Sequence, residues 1–149
     1  MTGPVSEPFL EIPFIRMLGI ERGEGAGELR LAFRPEFANH LGQWAAGIEF
    51  SLAEAATGDF LARRFTSLAG RVVPVLRQAR VRYRRSAQGS QLVTAVHAEV
   101  DALAEFEQAL QRRRRAGIDI DVQVLDEGVC VLEAVFQWHV RMADNQGHD

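Results

Sequence analysis

The segment from Gln43 to about Phe65 constrains the fold more than any other part of the sequence. It contains no proline and is rich in alanine and leucine, which predicts one long helix. Its large apolar residues occur all round the helix rather than along one stripe: Trp44, Ile48, Phe50, Leu52, Phe60, Leu61 and Phe65. A helix that is apolar on every face is buried on every face. The rest of the chain must therefore wrap around it.

Strand patterns account for much of the remaining sequence. Alternating apolar and polar side chains predict a strand at 28–33 and four later strands. We expect those four to form two antiparallel hairpins, 72–85 with 91–100 and 118–124 with 129–142. Between the hairpins, 102–115 has apolar residues at helical spacing, and Gly117 is predicted to end that helix.

Together these elements predict an α+β fold, in which a five-stranded antiparallel sheet wraps around one long central helix. We expect a single domain over residues 1–149, the length of one ordinary domain. Residues 1–20 are predicted to be a lead-in segment, in which Pro8 and Pro13 allow only short helical pieces, and 143–149 a flexible tail. One helix covers only one face of such a sheet, so we also expect self-association.

The composition excludes several kinds of chemistry. Lysine is absent and all 17 basic residues are arginine, which excludes a Schiff-base lysine, a P-loop lysine and a serine–lysine dyad. The net charge of −3 argues against a nucleic-acid partner, and no apolar run is long enough to span a membrane. The single Cys130 can form no internal disulfide and fits a reducing cytoplasm. No histidines share metal-ligand spacing with a carboxylate, so we predict no metal site.

One stripe of the long helix combines small residues with an acid. Gly47, Ser51, Glu54 and Gly58 follow one another at intervals of four, three and four, which places them on one side of the helix. Small side chains let another body approach the backbone closely. Burial would raise the pKa of Glu54, which suits a general base near neutral pH. The alternative is a close-packing seam in which an arginine pairs with Glu54.

The start of the same helix is also made of small residues, Ala45, Ala46 and Gly47. Free N–H groups at a helix start, together with the positive end of the helix dipole, form a site for an anion or an oxyanion. The alternative is that the side chain of Asn39 or His40 caps this end.

These residues resemble a known family. Asn39, Gly42, the small residues at 45–47 and the Glu54 that follows Leu52-Ala53 are similar to the signature of hotdog-fold acyl-CoA thioesterases of the PaaI-like branch. In that branch an Asn precedes a His-Gly-Gly step and then an Asp or Glu on the central helix. The fifteen-residue interval from Asn39 to Glu54 matches, and the resemblance extends more loosely over residues 15–142.

The resemblance implies that Glu54 is the catalytic carboxylate, which activates water or attacks the thioester carbonyl. The backbone N–H of Ala46 or Gly47 would polarise that carbonyl, and Asn39 would position water or the thioester. The substrate would be an acyl-CoA, with no separate cofactor. The site would lie at the interface of a homodimer, and two dimers can pair into a tetramer. The sequence departs from the family where Ala45 replaces its histidine and where 75–77 contains no serine or threonine.

Further residues are predicted to contact the substrate. Ser51 and Gly58 lie on the stripe, and His40 would substitute for the missing imidazole only if the chain folds it back toward the site. Arg84 and Arg85 could bind the phosphates of CoA, because guanidinium groups bind phosphate with two parallel hydrogen bonds. The alternative for these arginines is a solvated strand face. Arg112 to Arg115 are expected to complement the helix dipole and aid solubility, with phosphate or nucleic-acid binding as alternatives.

The sequence therefore predicts a hydrolase of acyl-CoA thioesters. The alternative is a hotdog domain that binds an acyl group or CoA without catalysis, which the missing histidine favours. A nucleic-acid module acting through Arg112 to Arg115 is a third possibility, against which the acidic net charge argues.

Overall fold

The computed structural model describes residues 9–144. These residues form a six-stranded antiparallel sheet, three α-helices and three short 3-10 turns. The strands are β1 (Glu21–Arg22), β2 (Leu29–Ala32), β3 (Val72–Tyr83), β4 (Gln91–His97), β5 (Arg115–Asp126) and β6 (Val129–Met142). The helices are α1 (Pro13–Leu18), α2 (Ala46–Arg64) and α3 (Val100–Arg113). The predicted α+β architecture, with its sheet around a long helix, is confirmed.

The long helix α2 packs on the inner face of the sheet. Leu52 of α2 and Phe136 of β6 are both fully buried. The ring of Phe50 contacts that of Phe136, with 5.2 Å between the ring centroids. The helix begins at Ala46 rather than at the predicted Gln43, because the preceding residues form a loop bonded to its own backbone.

The sheet order is β1-β2-β4-β5-β6-β3, so the predicted hairpin of 72–85 with 91–100 is wrong. β3 pairs with β6 at one edge, whereas β4 lies between β2 and β5. Residues 84–90 carry the chain across the end of the sheet, where Oδ2 of Asp126 accepts hydrogen bonds from the N–H groups of Gln88 and Gly89, both at 3.0 Å. Alternation in sequence reports which face a side chain takes, not which strand lies beside it.

The second predicted hairpin is confirmed, with β5 and β6 joined at Glu127 and Gly128. Both turn residues have positive φ, 49° and 80°, as the type I′ two-residue hairpin turn requires. The predicted helix end at Gly117 is wrong. Arg114 takes the left-handed conformation that ends α3, with φ 60°, and Gly117 lies inside β5 opposite His139. The prediction failed because it took the next glycine as the helix end, whereas α3 ends within the run of four arginines, Arg112 to Arg115.

The sheet has one strand more than the five predicted, the short β1 near the start of the domain. β1 pairs with β2, Glu21 opposite Arg30, and its two residues are too few to show alternation. The lead-in forms a 3-10 turn and then α1, with Pro13 in its first turn. Residues 1–8 of the predicted lead-in and 145–149 of the predicted tail lie outside the described residues. At the start of the predicted tail, Ala143 is bonded to the domain, because its N–H donates to the carbonyl of Arg71 at 2.8 Å.

Candidate functional site

The first turn of α2 presents free backbone donors. The residue that precedes it, Ala45, is extended and supplies no side-chain cap. Within residues 9–144, the N–H groups of Ala46 and Gly47 donate to no other group, and both residues are exposed. Neither Asn39 nor His40 caps the helix, so the capping alternative is not what the structure shows. The start of α2 can therefore accept an anion or a developing oxyanion.

Asn39 holds the loop that leads into α2. Its Oδ1 accepts hydrogen bonds from the N–H groups of Leu41 at 2.8 Å and Gln43 at 3.0 Å. Its Nδ2 donates to the carbonyl of Trp44 at 3.3 Å. The carboxamide thus fixes the path of residues 39–45, and one Nδ2 hydrogen is left for another acceptor.

Glu54 lies in the middle of α2 on the wall of a cavity of about 560 Å³. Its half-buried carboxyl group has no ion-pair or hydrogen-bond partner among the described side chains and backbone groups. Burial raises the pKa of Glu54 above its ordinary value of 4.5. The seam alternative holds at Gly58, against which Phe9 packs closely, but no arginine pairs with Glu54 among the described residues. An unpaired carboxylate with a raised pKa can take a proton from water.

The cavity gathers three of the four residues on the predicted stripe. Ser51, Glu54 and Gly58 line it, whereas Gly47 lies outside it at the exposed start of the helix. The hydroxyl of Ser51 donates to the carbonyl of Gly47 at 2.8 Å, so Ser51 is bonded to its own helix. The ring of Phe9 packs directly on Gly58, where a Cβ would overlap it. Gly58 is therefore required for the close approach of the lead-in segment.

The remaining predicted substrate contacts are not brought to this cavity. His40, Arg84 and Arg85 are exposed and do not line it. Arg84 forms an ion pair with Glu133 on β6, which already occupies its guanidinium group. In this chain these residues are placed to contact a ligand only where it extends beyond the cavity.

The free amides and Glu54 of one chain cannot act on the same carbonyl. Eight residues separate Ala46 from Glu54 along α2, or about 12 Å of helix at 1.5 Å per residue. An oxyanion donor and a base must each lie within about 3 Å of the reacting groups. A site that uses both must therefore take one of them from a second copy of the chain.

Sequence reasoning missed two buried acids on α2. Glu49, in its first turn, is 4% exposed. Its pKa is raised to about 7, mainly by burial and secondly by the charge of Asp126. Tyr83 is affected by Glu49: its pKa is raised mainly by burial and secondly by the Glu49 charge, and its hydroxyl donates to the carbonyl of Ala46 at 3.2 Å. Asp59, fully buried, accepts a hydrogen bond from Arg22 at 2.7 Å.

A signal for these acids was present in the sequence. Glu49, Glu54 and Asp59 recur at intervals of five on a helix that is apolar all round. Residues five apart on a helix do not share a face, so all three acids cannot point to one solvated side. Because the helix was predicted to be buried on every face, each of these acids should have been predicted to be at least partly buried as well.

Two properties of the described chain bear on ligands and membranes. No three His, Cys, Asp or Glu side chains among residues 9–144 are grouped so that they could hold a metal ion. Over the same residues, every helix is too short or too polar to cross a bilayer.

Residues 11–140 match the family described as domain of unknown function DUF4442. Among curated proteins, none matches this chain in sequence.

Solved structures share the fold. A Pseudomonas aeruginosa protein named as a probable thioesterase has a TM-score of 0.73 and 24% identity, over 95% of this chain and 99% of that protein. A Bacillus halodurans protein solved with CoA has a TM-score of 0.64 and 21% identity, over 85% and 74%. A phenylacetic acid degradation-related protein of Ralstonia eutropha has a TM-score of 0.65 and 19% identity, over 86% of this chain and 90% of that protein. The likeness confirms the hotdog fold that the sequence predicted.

Proposed function

Because this chain belongs to the DUF4442 family and has the hotdog fold, we propose that it hydrolyses acyl-CoA thioesters. One observation carries the proposal: Glu54, an acid without a partner among the described residues, lies on the wall of a largely apolar cavity. Two similar structures add support, since one is named as a probable thioesterase and another was solved with CoA. Similar folds carry different activities, so the proposal rests on the cavity and its acid.

In the proposed reaction Glu54 takes a proton from water as the water oxygen attacks the thioester carbonyl carbon. The carbonyl oxygen gains negative charge, which the N–H groups of Ala46 and Gly47 from a second copy stabilise. When the carbonyl re-forms, the C–S bond breaks and the electron pair leaves with the CoA sulfur, which receives the proton that Glu54 holds. Direct attack by the carboxylate on the carbonyl is the variant of this mechanism that the same geometry allows.

The proposal requires a homodimer, because Ala46 and Glu54 of one chain are separated by about 12 Å of rise along the axis of α2. β3 is suited to pair with a second copy, because it is a twelve-residue edge strand of the described sheet. Its exposed Val75 would lie in the interface. Further pairing into a tetramer is part of the same proposal, as is a cytoplasmic location, which the lone Cys130 favours.

The test measures release of free CoA thiol from a panel of acyl-CoAs. We expect kcat to fall by about 10²- to 10⁴-fold in Glu54→Gln and Glu54→Ala, the range that a general base supplies. Glu105→Gln is the matched control, because Glu105 is an exposed acid on α3. Unchanged turnover in both Glu54 variants would remove this residue from the mechanism.

A second candidate function is binding of an acyl group or CoA without hydrolysis. The observation that favours it is that Ala45, at the position where the related branch has its histidine, supplies no imidazole at the start of α2. Calorimetric binding of CoA by the wild-type protein, together with no thiol release from any acyl-CoA, would select this function over the enzyme.

A further inference from the structure

The cavity beside Glu54 is long and mostly apolar. It follows one face of α2 through Ser51, Glu54, Gly58, Leu61 and Phe65. From Glu54 to Phe65 the helix rises about 16 Å, at 1.5 Å per residue. The opposite walls come from the lead-in segment, from Phe106 of α3 and from Trp138 of β6. The volume of about 560 Å³ is in the ordinary range of small-molecule sites.

The charged groups of this cavity are already paired, with the exception of Glu54. Arg22 donates to Asp59 at 2.7 Å, and Nη1 of Arg63 lies 4.0 Å from the other oxygen of Asp59. A ligand carboxylate that entered the cavity would lose its hydration, meet the negative charge of Glu54, and share Arg22 and Arg63 with the buried Asp59. The cavity is therefore less favourable for a charged acyl group than for a hydrocarbon chain.

Resting on the proposed function, we infer that the acyl group is an uncharged hydrocarbon chain, which lies along α2 from Glu54 toward Phe65, and that Phe9 sets how much of it fits. The Phe9 ring occupies the space beside Gly58 that a side chain would otherwise fill. It therefore narrows the cavity just beyond Glu54. Short acyl groups would leave most of the apolar wall in contact with water.

The experiment measures kcat/KM of the wild-type protein for saturated acyl-CoAs from acetyl upward, and compares butyryl-CoA with succinyl-CoA. We expect kcat/KM to rise by about fourfold per added methylene until the cavity is filled, since each buried methylene contributes about 0.8 kcal/mol. Butyryl-CoA is expected to be hydrolysed at least tenfold better than succinyl-CoA. A preference for acetyl-CoA or succinyl-CoA, or no dependence on chain length, would overturn the inference while leaving thioester hydrolysis intact.

Phe9→Ala tests the narrowing, and Leu10→Ala is its control. Leu10 belongs to the same 3-10 turn and packs on the core but does not line the cavity. We expect Phe9→Ala to move the preferred chain length upward and Leu10→Ala to leave it unchanged. The same shift in both variants, or in neither, counts against a role for Phe9.

A binding measurement separates this inference from the proposed function. Calorimetric titration with 1-decanol, an uncharged chain that needs no turnover, is expected to show binding to the wild-type protein. If no acyl-CoA is hydrolysed but 1-decanol binds, the proposed hydrolysis fails and the apolar-chain site stands. If acyl-CoAs are hydrolysed but 1-decanol does not bind and chain length has no effect, the site proposed here fails alone.

Discussion

Arg22 on the short edge strand β1 donates a hydrogen bond to Asp59 in the fourth turn of the long helix, at 2.7 Å. The Asp59 carboxylate is fully buried, whereas the Arg22 side chain remains 40% exposed. The bond therefore joins the edge strand β1 to the buried helix α2. It also offsets the negative charge of Asp59, whose burial without a partner would be unfavourable.

Because Asp59 is buried and Arg22 is partly exposed, removal of one partner is expected to change the free energy of unfolding more than removal of the other. Arg22→Ala leaves the buried carboxylate with only Arg63 at 4.0 Å, and we expect it to lower the free energy of unfolding by about 2–3 kcal/mol. Asp59→Asn should cost less, because Arg22 can turn to solvent. Urea denaturation measures both. Arg30→Ala is the control: its partner Glu28 is 4.0 Å away, and a change below about 0.5 kcal/mol is expected.

Glu49 predicts a pH dependence of stability. Its pKa in the folded chain is raised from 4.5 to about 7, by burial first and by the charge of Asp126 second. The folded state then holds a proton that the unfolded chain releases, so the free energy of unfolding should fall as pH rises from about 4.5 to about 7. Glu49→Gln has no such proton to lose. We expect it to gain about 3 kcal/mol relative to wild type across this window, measured by thermal unfolding.

Glu105→Gln is the control for this titration, since Glu105 is exposed on α3. Its stability should follow that of the wild type at every pH. A Glu49→Gln protein that loses stability with pH in parallel with the wild type would show that Glu49 is not the titrating group.

Glu54 predicts the acid limb of the rate profile. The raised pKa of Glu54 means that the base is protonated at pH values above its ordinary 4.5. We therefore expect kcat/KM to fall as pH is lowered through a pKa greater than 4.5. Measured thiol release between pH 4.5 and 8 gives the profile. Any residual activity of Glu54→Gln should be flat in this range, and an unchanged limb in that variant would assign the titration to another group.

The buried bond between Trp138 and Thr57 predicts a selective loss of stability. Trp138 donates its indole N–H to the Thr57 hydroxyl at 2.9 Å, and that hydroxyl donates in turn to the carbonyl of Glu54, also at 2.9 Å. Thr57→Val keeps the shape but leaves the indole N–H without an acceptor, so we expect a loss of about 1–2 kcal/mol in chemical denaturation. Thr57→Ser retains the hydroxyl and should lose less than half as much.

The edge strand β3 predicts how copies associate. Lysine at Val75 would place a charge on the strand through which two copies are proposed to pair, and we expect Val75→Lys to lower the dimer fraction at least tenfold. Analytical ultracentrifugation measures it. Val129→Lys is matched to it, because Val129 is 45% exposed, against 47% for Val75, but lies at the β5–β6 turn. Equal effects of the two substitutions would place the interface elsewhere.

Much of the fold could be predicted because it depends on local periodicity. The apolar residues of α2 marked it as buried, and the alternation in β5 and β6 marked a hairpin whose turn residues adopt positive φ. The partner of β3 could not be predicted, because its alternation is satisfied equally beside β4 or β6. Only the crossing of residues 84–90, held by Asp126, separates these two arrangements.

The candidate site divides in the same way. The spacing from Asn39 to Glu54 depends on sequence alone. Two turns of helix place Ser51, Glu54 and Gly58 on one stripe before any tertiary contact forms. Whether Glu54 faces an arginine or a cavity depends on residues far along the chain. Arg22 and Arg63 lie against Asp59 instead, and Phe9 and Trp138 line the cavity beside Glu54.

By itself, then, the sequence determined a buried helix, the strands around it and an acid on a stripe of small residues, since these follow from the 3.6- and 2-residue periods of the backbone. Tertiary structure alone decided which acids are paired, which strand lies at the edge, and that Glu49 is buried close enough to Asp126 to feel its charge. The reason is physical: the environment of a charge is set by whatever packs against it, and those neighbours are distant in sequence.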